Sequence, residues 1–380
     1  MPVIHSPRSK HTVLRYADLA ALPDHYEAVF SCAARTSLFF TRQWYRNFIG
    51  TVLAPHEHLR IYAVGTTSNP PQARAVLPMR YSNPRAGVFG IATLSGLSNY
   101  YTSLFGPVVD SDESALQDVL DSLAAAIASD KMHWDAVNVH PLAAGEPVFP
   151  GLVAAFRNAG LLVQTYFCFG NWYLQIRGRS YAEYFESLPP QVRSTVKRKR
   201  KQLEKSPDSR IVIYSDMASI DEGVRAYEQI YAASWKVPEP HPGFIRGLCH
   251  TCAESGWLRL GVVYVDGQAV AAQIWIVVSG VANIYKLAYD ERFAKLSAGS
   301  VLTAHLMEHV IDVDRVHEVD YLTGDDAYKK DWMSDRRERW GIMAFNPRTP
   351  KGLILALRHL GARAMKRAVD RVRRIGAART

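Results

Sequence analysis

Leu258-Arg259-Leu260-Gly261-Val262-Val263-Tyr264-Val265 is followed by Asp266-Gly267 and then by the largely apolar run Gln268 to Val278. Asp-Gly between two apolar runs is typical of a type I′ turn, so this stretch predicts a buried antiparallel hairpin. Val281 to Ala288 predicts a third strand. A helix from about Ser300 to Val313 and a short strand from Glu318 to Leu322 complete an α/β passage.

An earlier passage repeats this order. It opens with Leu59-Arg60-Ile61, which resembles Leu258-Arg259-Leu260, ahead of an antiparallel pair formed by Leu59 to Val64 and Gln72 to Tyr81. The elements that follow are predicted as helix Glu113 to Ile127, strand Ala136 to Val139, helix Leu152 to Asn158 and strand Leu161 to Phe169. The repetition predicts two α/β domains of one kind, each with a mixed α+β sheet; two unrelated α/β domains are the alternative.

A helical connector separates the two passages. Ser180 and Glu183 fit a capping box, and Pro189-Pro190 interrupts the helix before the strongly basic segment Gln191 to Lys205. The predicted domains are therefore an N-terminal half at 1–170, a C-terminal half at 171–345 and a basic tail at 346–380.

The charge of the chain is concentrated in two segments. The chain has 380 residues, 48% of them hydrophobic and 21% charged, as in an ordinary globular protein. Its formal net charge is +9, and Arg348 to Thr380 alone contains ten basic residues and one acid. The tail also has an apolar stripe at helical spacing: Ile354, Leu357, Ala364, Met365, Ala368, Val372 and Ile375. Such a helix either binds an anionic membrane surface or a partner groove, or packs on the body of the protein.

The composition also bears on the cellular location of the protein and on metal binding. No stretch reaches the ~18 apolar residues that span a bilayer, and the best candidate, Val270 to Val278, contains Gln273. Four cysteines and a polar N-terminal segment predict a cytoplasmic protein, with the tail at the inner face of the membrane. Cys249-His250-Thr251-Cys252 lacks a second ligand pair, so no metal site is expected.

Three segments of the second passage carry a family resemblance. They are Tyr285 to Asp290, Phe293 to Ser300 and Asp320 to Lys329, preceded by Ser234-Trp235-Lys236 and the helix Arg193 to Leu203. In this order they resemble the CelD/FemAB-like branch of the GNAT acyltransferases, over roughly residues 173–340. That resemblance implies two tandem GNAT-like halves, followed here by the basic tail helix.

The resemblance implies acyl-CoA as co-substrate and a phosphate-binding turn at Lys295, Ser297, Ala298, Gly299 and Ser300. A loop that enters a helix presents backbone N–H groups at the positive end of the helix dipole, which suits a pyrophosphate. The GNAT pattern is Gln/Arg-x-x-Gly-x-Gly/Ala, and here Ala298 and Ser300 occupy the glycine positions. A simple helix start without a ligand is the alternative.

Candidate catalytic residues follow the strand that ends near Leu322. By resemblance, Tyr328 donates a proton to the leaving thiolate. Asp320 and Asp325 are candidate bases for the acceptor, and Lys286 contacts either substrate or one of these aspartates. The alternatives are a packed aromatic side chain for Tyr328 and helix caps or partners of Lys329 for the aspartates. Residues expected to contact the acceptor are Trp235, Lys236, His241 and Lys329.

These expectations describe a transferase that moves an acyl group from acyl-CoA to an amine or hydroxyl. The resemblance implies a role in cell-envelope or exopolysaccharide metabolism, with the first half structural or acceptor-shaping. FemAB-type transfer from aminoacyl-tRNA, with the basic helix on its phosphates, and a non-catalytic GNAT scaffold are the alternatives. Dinucleotide, nucleoside triphosphate and serine-hydrolase motifs are missing from the sequence.

Overall fold

The computed structural model describes residues 10–83, 90–110, 112–206, 208–359 and 361. Its strands are β1 His11–Tyr16, β2 Glu57–Thr66, β3 Ala73–Ser82, β4 Thr93–Gly96, β5 Val108–Val109, β6 Ala136–Ala143, β7 Leu162–Gln175, β8 Arg210–Tyr214, β9 Leu258–Val265, β10 Gln268–Val278, β11 Val281–Tyr289, β12 Glu318–Asp320 and β13 Asp335–Phe345. Its α-helices are α1 Glu27–Ala33, α2 Arg42–Val52, α3 Leu116–Ala128, α4 Val148–Asn158, α5 Tyr181–Ser187, α6 Pro190–Leu203, α7 Ile220–Ala232, α8 Pro242–Glu254 and α9 Ala298–Glu308. This is the α/β class that the sequence predicts.

The chain divides into two compact units. Unit 1 contains residues 1–33, 53–168 and 338–380, and unit 2 contains residues 34–52 and 169–337. This division differs from the predicted linear one at two segments. Residues 34–52 lie in unit 2 because α2 packs against α8, and Asn47 Nδ2 donates to the Phe244 carbonyl at 3.1 Å. Residues 338–345 lie in unit 1 because this part of β13 pairs with β6.

Both units have the same strand order. In unit 1 the sheet runs β1-β2-β3-β4-β6-β13, and in unit 2 it runs β8-β9-β10-β11-β12-β7. In each sheet the first four strands are antiparallel, the fifth is parallel to the fourth over three residues, and the last is antiparallel to the fifth. The two units are therefore domains of one kind, as the repeated sequence pattern predicts.

The shared Leu-Arg tripeptide makes equivalent ion pairs in the two units. Arg60 on β2 binds Asp130, just after α3, with Nη2–Oδ1 at 2.7 Å and Nε–Oδ2 at 3.0 Å. Arg259 on β9 binds Asp314, beyond α9, with Nη2–Oδ1 at 2.7 Å and Nε–Oδ2 at 3.0 Å. Each arginine fastens the second strand of its sheet to the end of the helix that follows the fourth strand.

Unit 2 buries its central strands on both faces. Leu260 contacts the α7 side, where a Cβ on Gly223 would lie 3.0 Å from its Cδ2, whereas a Cβ on Gly261 would lie 2.9 Å from Leu302 of α9. Helices on both faces explain why β9 and β10 are almost continuously apolar. Asp266 and Gly267 both have positive φ, at 50° and 75°, as the predicted type I′ turn requires.

The helical predictions are confirmed with shifted ends. The capping box is present, since Ser180 N donates to Glu183 Oε2 at 2.8 Å and Glu183 N donates to Ser180 Oγ at 3.3 Å. The helix predicted at 300–313 is α9 followed by a π-helical turn, His309–Val313.

Of the predicted tail helix, residues 350–359 are helical, and 362–380 lie outside the described residues. None of the described helices combines the length and hydropathy needed to cross a bilayer.

Candidate active site

The central feature of unit 2 is a parting of two parallel strands. β11 and β12 pair only at Val281–Glu318, Ala282–Val319 and Asn283–Asp320, whereas β11 continues to Tyr289 along β10. The register shifts there, because Ile274 pairs with Lys286 and Trp275 with Ile284, which leaves Tyr285 as a bulge. Bulges beside a strand end are frequent at active sites because they redirect the chain. Beyond Asn283, the edge of β11 on the β12 side is therefore no longer paired with β12.

The start of α9 is the turn that the sequence predicts to bind a phosphate, and we call it the anion-binding turn. Ser297, its N-cap residue, is left-handed (φ 52°, ψ 34°) and makes no side-chain cap hydrogen bond. The following residues are Ala298, Gly299 and Ser300, and the N–H group of Ser300 already donates to the Ser297 carbonyl at 3.0 Å. A Cβ on Gly299 would meet nothing within 4 Å, so the turn opens to free space. The residue with the strained, left-handed backbone is Ser297. It is neither Ala298 nor Ser300, the two residues at the glycine positions of the GNAT pattern.

A buried glutamine fixes this turn to the sheet. Gln273 of β10, 2% exposed, donates from Nε2 to the Gly299 carbonyl at 2.9 Å and to Thr303 Oγ1 at 2.8 Å. Its Oε1 accepts from Trp275 Nε1 at 2.8 Å. The amide is therefore fully used, and it holds the first turn of α9 in place. The sequence signal for this role is a single amide inside an apolar strand.

The basic helix α6 lies beside the turn. Lys199 Nζ donates to the carbonyl of Lys295, two residues before Ser297, whereas Arg200 pairs with Glu308 at the other end of α9 at 2.9 Å. Lys295 itself is exposed. Positive side chains next to a helix N-terminus add to its attraction for an anion.

A cluster of titratable side chains spans the parted strands. Its members, which we call the wedge cluster, are Lys236, Glu239, Lys286, Asp326, Tyr328 and Lys329. Burial first, and then the charge of Lys286, lowers the pKa of Lys236 to about 8. The Lys236 ammonium also lies 5.7 Å from the centre of the Trp235 ring, and that ring packs against Tyr289 in a tilted arrangement with the ring centres 4.6 Å apart. A lysine with this pKa exchanges protons near neutral pH.

The cluster corrects one sequence expectation. Lys286 does not bind Asp320 or Asp325. Its Nζ lies 2.7 Å from Glu239 Oε1, and both side chains are largely buried. Glu239 comes from the Pro238-Glu239-Pro240 loop and was not predicted as a site residue. The same loop continues to His241, the residue before α8, whose side chain makes no cap hydrogen bond with the helix.

Tyr328 and Lys329 play different parts. Tyr328 is 45% exposed, its ring meets Tyr321 edge-on at 5.8 Å, and burial with the charge of Asp326 raises its pKa to about 12. Lys329 is 4% exposed and donates to the carbonyls of Thr323 at 2.5 Å and Gly324 at 3.3 Å. Burial lowers the pKa of Lys329. Lys329 thus holds the loop after β12, while Tyr328 stays protonated and accessible.

The two candidate aspartates are both engaged. Asp320 is buried and accepts from Asn171 Nδ2 at 2.5 Å, Leu322 N at 2.6 Å and Arg337 Nη2 at 2.5 Å. Asp325 accepts from Trp172 Nε1 and Arg336 Nη2, both at 2.7 Å. The Arg336 hydrogen bond is the main cause that lowers the pKa of Asp325. These carboxylates hold the strand end together, which leaves little capacity to accept a substrate proton.

Arg337 is expected to stabilise unit 2 strongly. It also pairs with Glu318 at 2.7 Å, and although burial lowers the pKa of Arg337, the charges of Asp320 and Glu318 raise it. Arg337→Met leaves two buried carboxylates without their cation, so we expect a loss of about 3 kcal/mol in the free energy of unfolding at pH 7, measured by urea denaturation.

The control for that variant is Arg336→Met, which removes a partly exposed pair with Asp325. It should lower the free energy of unfolding by less than Arg337→Met does, because exposed ion pairs contribute little to stability. Equal losses in both variants would contradict this role.

Comparison with known proteins agrees with this geometry. Residues 190–330 match the family model described as an acetyltransferase (GNAT) domain. This segment, less than half of the chain, is similar to GNAT domains. It contains the anion-binding turn, the parted strands and the wedge cluster. No curated protein sequence matches the chain.

Three solved structures have a fold similar to that of this chain. FemX is similar with a TM-score of 0.59 and 10% identity, over 88% of this chain and 98% of FemX. A tandem GNAT protein from the clavulanic acid biosynthesis pathway is similar with a TM-score of 0.51 and 11% identity, over 87% of this chain and 98% of that protein. A conserved protein of unknown function from Bacteroides thetaiotaomicron VPI-5482 is similar with a TM-score of 0.50 and 9% identity, over 85% of this chain and 92% of that protein. The fold is the tandem GNAT-like, FemAB-like arrangement that the sequence predicts.

Proposed function

We propose that the protein transfers an acyl group from acyl-CoA to an amine or hydroxyl of an acceptor in cell-envelope or exopolysaccharide metabolism. The observation that carries the proposal is the juxtaposition, within one GNAT domain, of parted strands and an open helix start. β11 continues beyond the point where it parts from β12 and ends at Tyr289, and a short 3-10 helix, Glu291–Leu296, joins it to Ser297 and α9. A ligand with a pyrophosphate at one end and an extended thioester arm at the other fits this layout.

The donor would bind in two parts. Its pyrophosphate would accept hydrogen bonds from the first turn of α9, at the positive end of the helix dipole. Its pantetheine arm would lie along the edge of β11 beyond Asn283, where the pairing with β12 has ended, as an extended peptide adds to the edge of a sheet. That position brings the thioester to the wedge cluster.

The proposed reaction is a direct displacement. The acceptor nitrogen or oxygen attacks the thioester carbonyl, the new C–N or C–O bond forms and the C–S bond breaks. Lys236, in its neutral form, takes the proton from the acceptor, and Tyr328 gives a proton to the departing thiolate. Trp235 and Val237, 48% and 81% exposed, offer apolar surface beside Lys236 for the body of the acceptor.

Tyr328→Phe should lower kcat by about 100-fold or more, within the range typical of general acid catalysis, with little change in KM for acyl-CoA. The ring is kept, so its contact with Tyr321 and the fold should survive. Steady-state kinetics with acyl-CoA, alongside a circular dichroism melt, measure both. An unchanged kcat would show that Tyr328 is only a packed aromatic side chain.

Unit 1 is proposed to be structural or acceptor-shaping. Its α3 is the counterpart of α9, following the fourth strand of the sheet. Asp118 lies in the first turn of α3, and its N-cap, Ala115, has ordinary helical dihedral angles. An acid in that position disfavours a phosphate, so we assign the donor to unit 2 alone.

A second candidate donor is aminoacyl-tRNA. It is favoured by the basic helix α6, which reaches the anion-binding turn through Lys199, and by the shared fold of FemX. Exposed cations on α6 and just beyond it, Arg198, Lys201 and Lys205, would contact tRNA phosphates. Such binding weakens steeply as salt rises.

A thermal-shift titration separates the candidates. The purified protein is titrated with acetyl-, medium- and long-chain acyl-CoA, and with tRNA at 50 and 300 mM salt. A ligand that binds only the folded state raises the melting temperature. A rise with an acyl-CoA supports the proposal, and a salt-sensitive rise with tRNA alone supports aminoacyl transfer. No rise with either would favour the non-catalytic scaffold.

We further propose that the tail brings the protein to the inner face of the membrane. In the helical segment 350–359, Gly352 and Ala356 face the body of unit 1. Leu353, Ile354 and Leu357 are 41%, 64% and 66% exposed. The sequence around and beyond them is strongly basic. Exposed apolar side chains among cations suit an anionic lipid surface.

Vesicle sedimentation tests this contact. The full chain should bind vesicles with 30% phosphatidylglycerol and bind pure phosphatidylcholine vesicles at least about tenfold more weakly, since each basic residue near an anionic surface contributes about 1 kcal/mol. Ile354→Ser with Leu357→Ser should weaken binding. Substitution of two exposed apolar residues elsewhere, Met217→Ser and Val313→Ser, should not. Equal binding to both vesicle types would contradict the proposal.

A further inference from the structure

A second recessed surface lies in unit 2, outside the candidate active site. It is a cleft of about 530 Å³, within the range of small-molecule sites. It is lined by Arg210, Glu222, Arg225, Ala226, Gln229, Ala233, Tyr264, Gly267, Gln268, Ala269, Asp290 and Arg292. None of the wedge cluster or the anion-binding turn belongs to this lining. We call it the arginine cleft.

The arginine cleft is built by regular elements. Its floor is a row of directly paired residues, Arg210 on β8, Tyr264 on β9 and Ala269 on β10. The Arg210 guanidinium lies 4.6 Å from the centre of the Tyr264 ring, which fixes the cation over the floor. One wall is a stripe of α7 residues at helical spacing, among them Arg225 and Gln229.

The acids of the cleft already have partners. Asp290 is held by Arg292, with Oδ2–Nη2 at 2.6 Å and Oδ2–Nε at 3.0 Å. Glu222 accepts from the Tyr214 hydroxyl at 2.7 Å, and that hydroxyl lies 2.8 Å from the hydroxyl of Tyr264.

Arg210 of the floor and Arg225 of the wall, in contrast, are not paired with acids among the described residues. In the part of the chain that the structure describes, neither Arg210 nor Arg225 has a carboxylate within salt-bridge distance. The cleft therefore has an excess of positive charge directed into a polar space.

We propose that the arginine cleft binds a small sugar phosphate. Two guanidinium groups without carboxylate partners suit a phosphate, because their planar forks donate paired hydrogen bonds to its oxygens. The amides of Gln229 and Gln268 suit sugar hydroxyls. Alanine methyl groups supply nearly all of the aliphatic lining, so an acyl chain would find little surface to bury. This site is separate from the proposed donor and does not depend on it.

Isothermal titration calorimetry at 50 mM salt tests the site, with glucose 6-phosphate as the probe and glucose and inorganic phosphate as comparisons. Glucose 6-phosphate should bind, glucose should not, and inorganic phosphate should bind at least about threefold more weakly. Arg225→Gln should lower the affinity by about tenfold or more, since it removes a charge-assisted contact. Arg225 is exposed, so the variant should fold.

Two controls make the outcome decisive. Arg198→Gln removes an exposed cation from α6 and should leave sugar phosphate binding unchanged, as should Gly299→Asp at the anion-binding turn. No binding of glucose 6-phosphate, or equal losses in Arg225→Gln and Arg198→Gln, would overturn the proposal. Equal affinity for inorganic phosphate would overturn the sugar component. Loss of binding in Gly299→Asp would assign the probe to the donor site instead.

Discussion

Gly299→Asp is expected to lower the affinity for CoA by at least about 100-fold while leaving the fold intact. The added carboxylate would lie in the first turn of α9, where the donor pyrophosphate is proposed to bind. Two like charges about 4 Å apart repel by about 4 kcal/mol at an effective dielectric constant of 20, which exceeds the energy of a 100-fold change. The open space around Gly299 means that the side chain itself displaces nothing.

The fold of this variant should be unharmed for a second reason. An acid in the first turn of a helix is stabilised by the helix dipole, so the melting temperature without ligand should be equal or higher. Gly299→Ala is the matched control, since a methyl group also fits the open space. It should retain CoA binding within about threefold. Titration calorimetry with CoA measures both variants, and unchanged binding in Gly299→Asp would exclude this turn as the phosphate site.

Much of unit 2 could be predicted because its signals are local. The limits of β9 and β10 agree with the prediction, since Asp266-Gly267 determines the turn and apolar runs mark strands buried on both faces. The capping box at Ser180 is equally local. The predicted duplication depends on a shared order of elements and on a similar tripeptide, and the ion pairs of Arg60 and Arg259 give that similarity a physical cause.

Other parts of the fold depend on distant partners. β13 begins with the charged run Asp335 to Arg339, and only its second half, Trp340 to Phe345, is largely apolar. The strand is formed by its pairing with β6, about 200 residues earlier in the chain. The placement of 34–52 in unit 2 likewise follows from the packing of α2 on α8, which no local pattern contains.

The site shows the same division. Lys236, Lys286 and Lys329, which come from three of the segments quoted for the family resemblance, lie together in the wedge cluster. Their contacts could not be predicted. The sequence predicts that Lys286 contacts either substrate or one of two aspartates, Asp320 and Asp325, whereas its ion-pair partner is Glu239, 47 residues away. The Asp320 carboxylate is paired with Arg337, and Arg337 lies on β13, a strand that the sequence did not predict. Pairing choices of this kind depend on three-dimensional proximity and leave no periodic trace in the sequence.

Lys236→Met is expected to lower kcat by about 100-fold or more and to remove the pH dependence of the reaction near pH 8. Burial, together with the charge of Lys286, lowers the pKa of Lys236 to about 8. Catalysis by a base requires its neutral form, so kcat/KM should rise with pH through about 8 and then level off. The pKa of Tyr328, raised to about 12, should place any fall at much higher pH.

The stability of this variant distinguishes catalysis from structure. Lys236 has a lower pKa in the folded protein than in the unfolded chain, so its protonated form disfavours folding. The free energy of unfolding of the native protein should therefore rise as the pH increases from about 8 toward 10.5. Lys236→Met removes that ionisation, so it should be at least as stable as the native protein at pH 7.

Two further variants complete the test. Lys236→Arg keeps a positive charge that does not titrate in this range, so it should not restore activity. Lys330→Met removes an exposed lysine close in sequence to Tyr328 and should leave both kcat and the pH profile unchanged. If Lys236→Met retained the rising limb near pH 8, another group would have to be the base, and Glu239, paired with Lys286 in the same cluster, would be the next to replace.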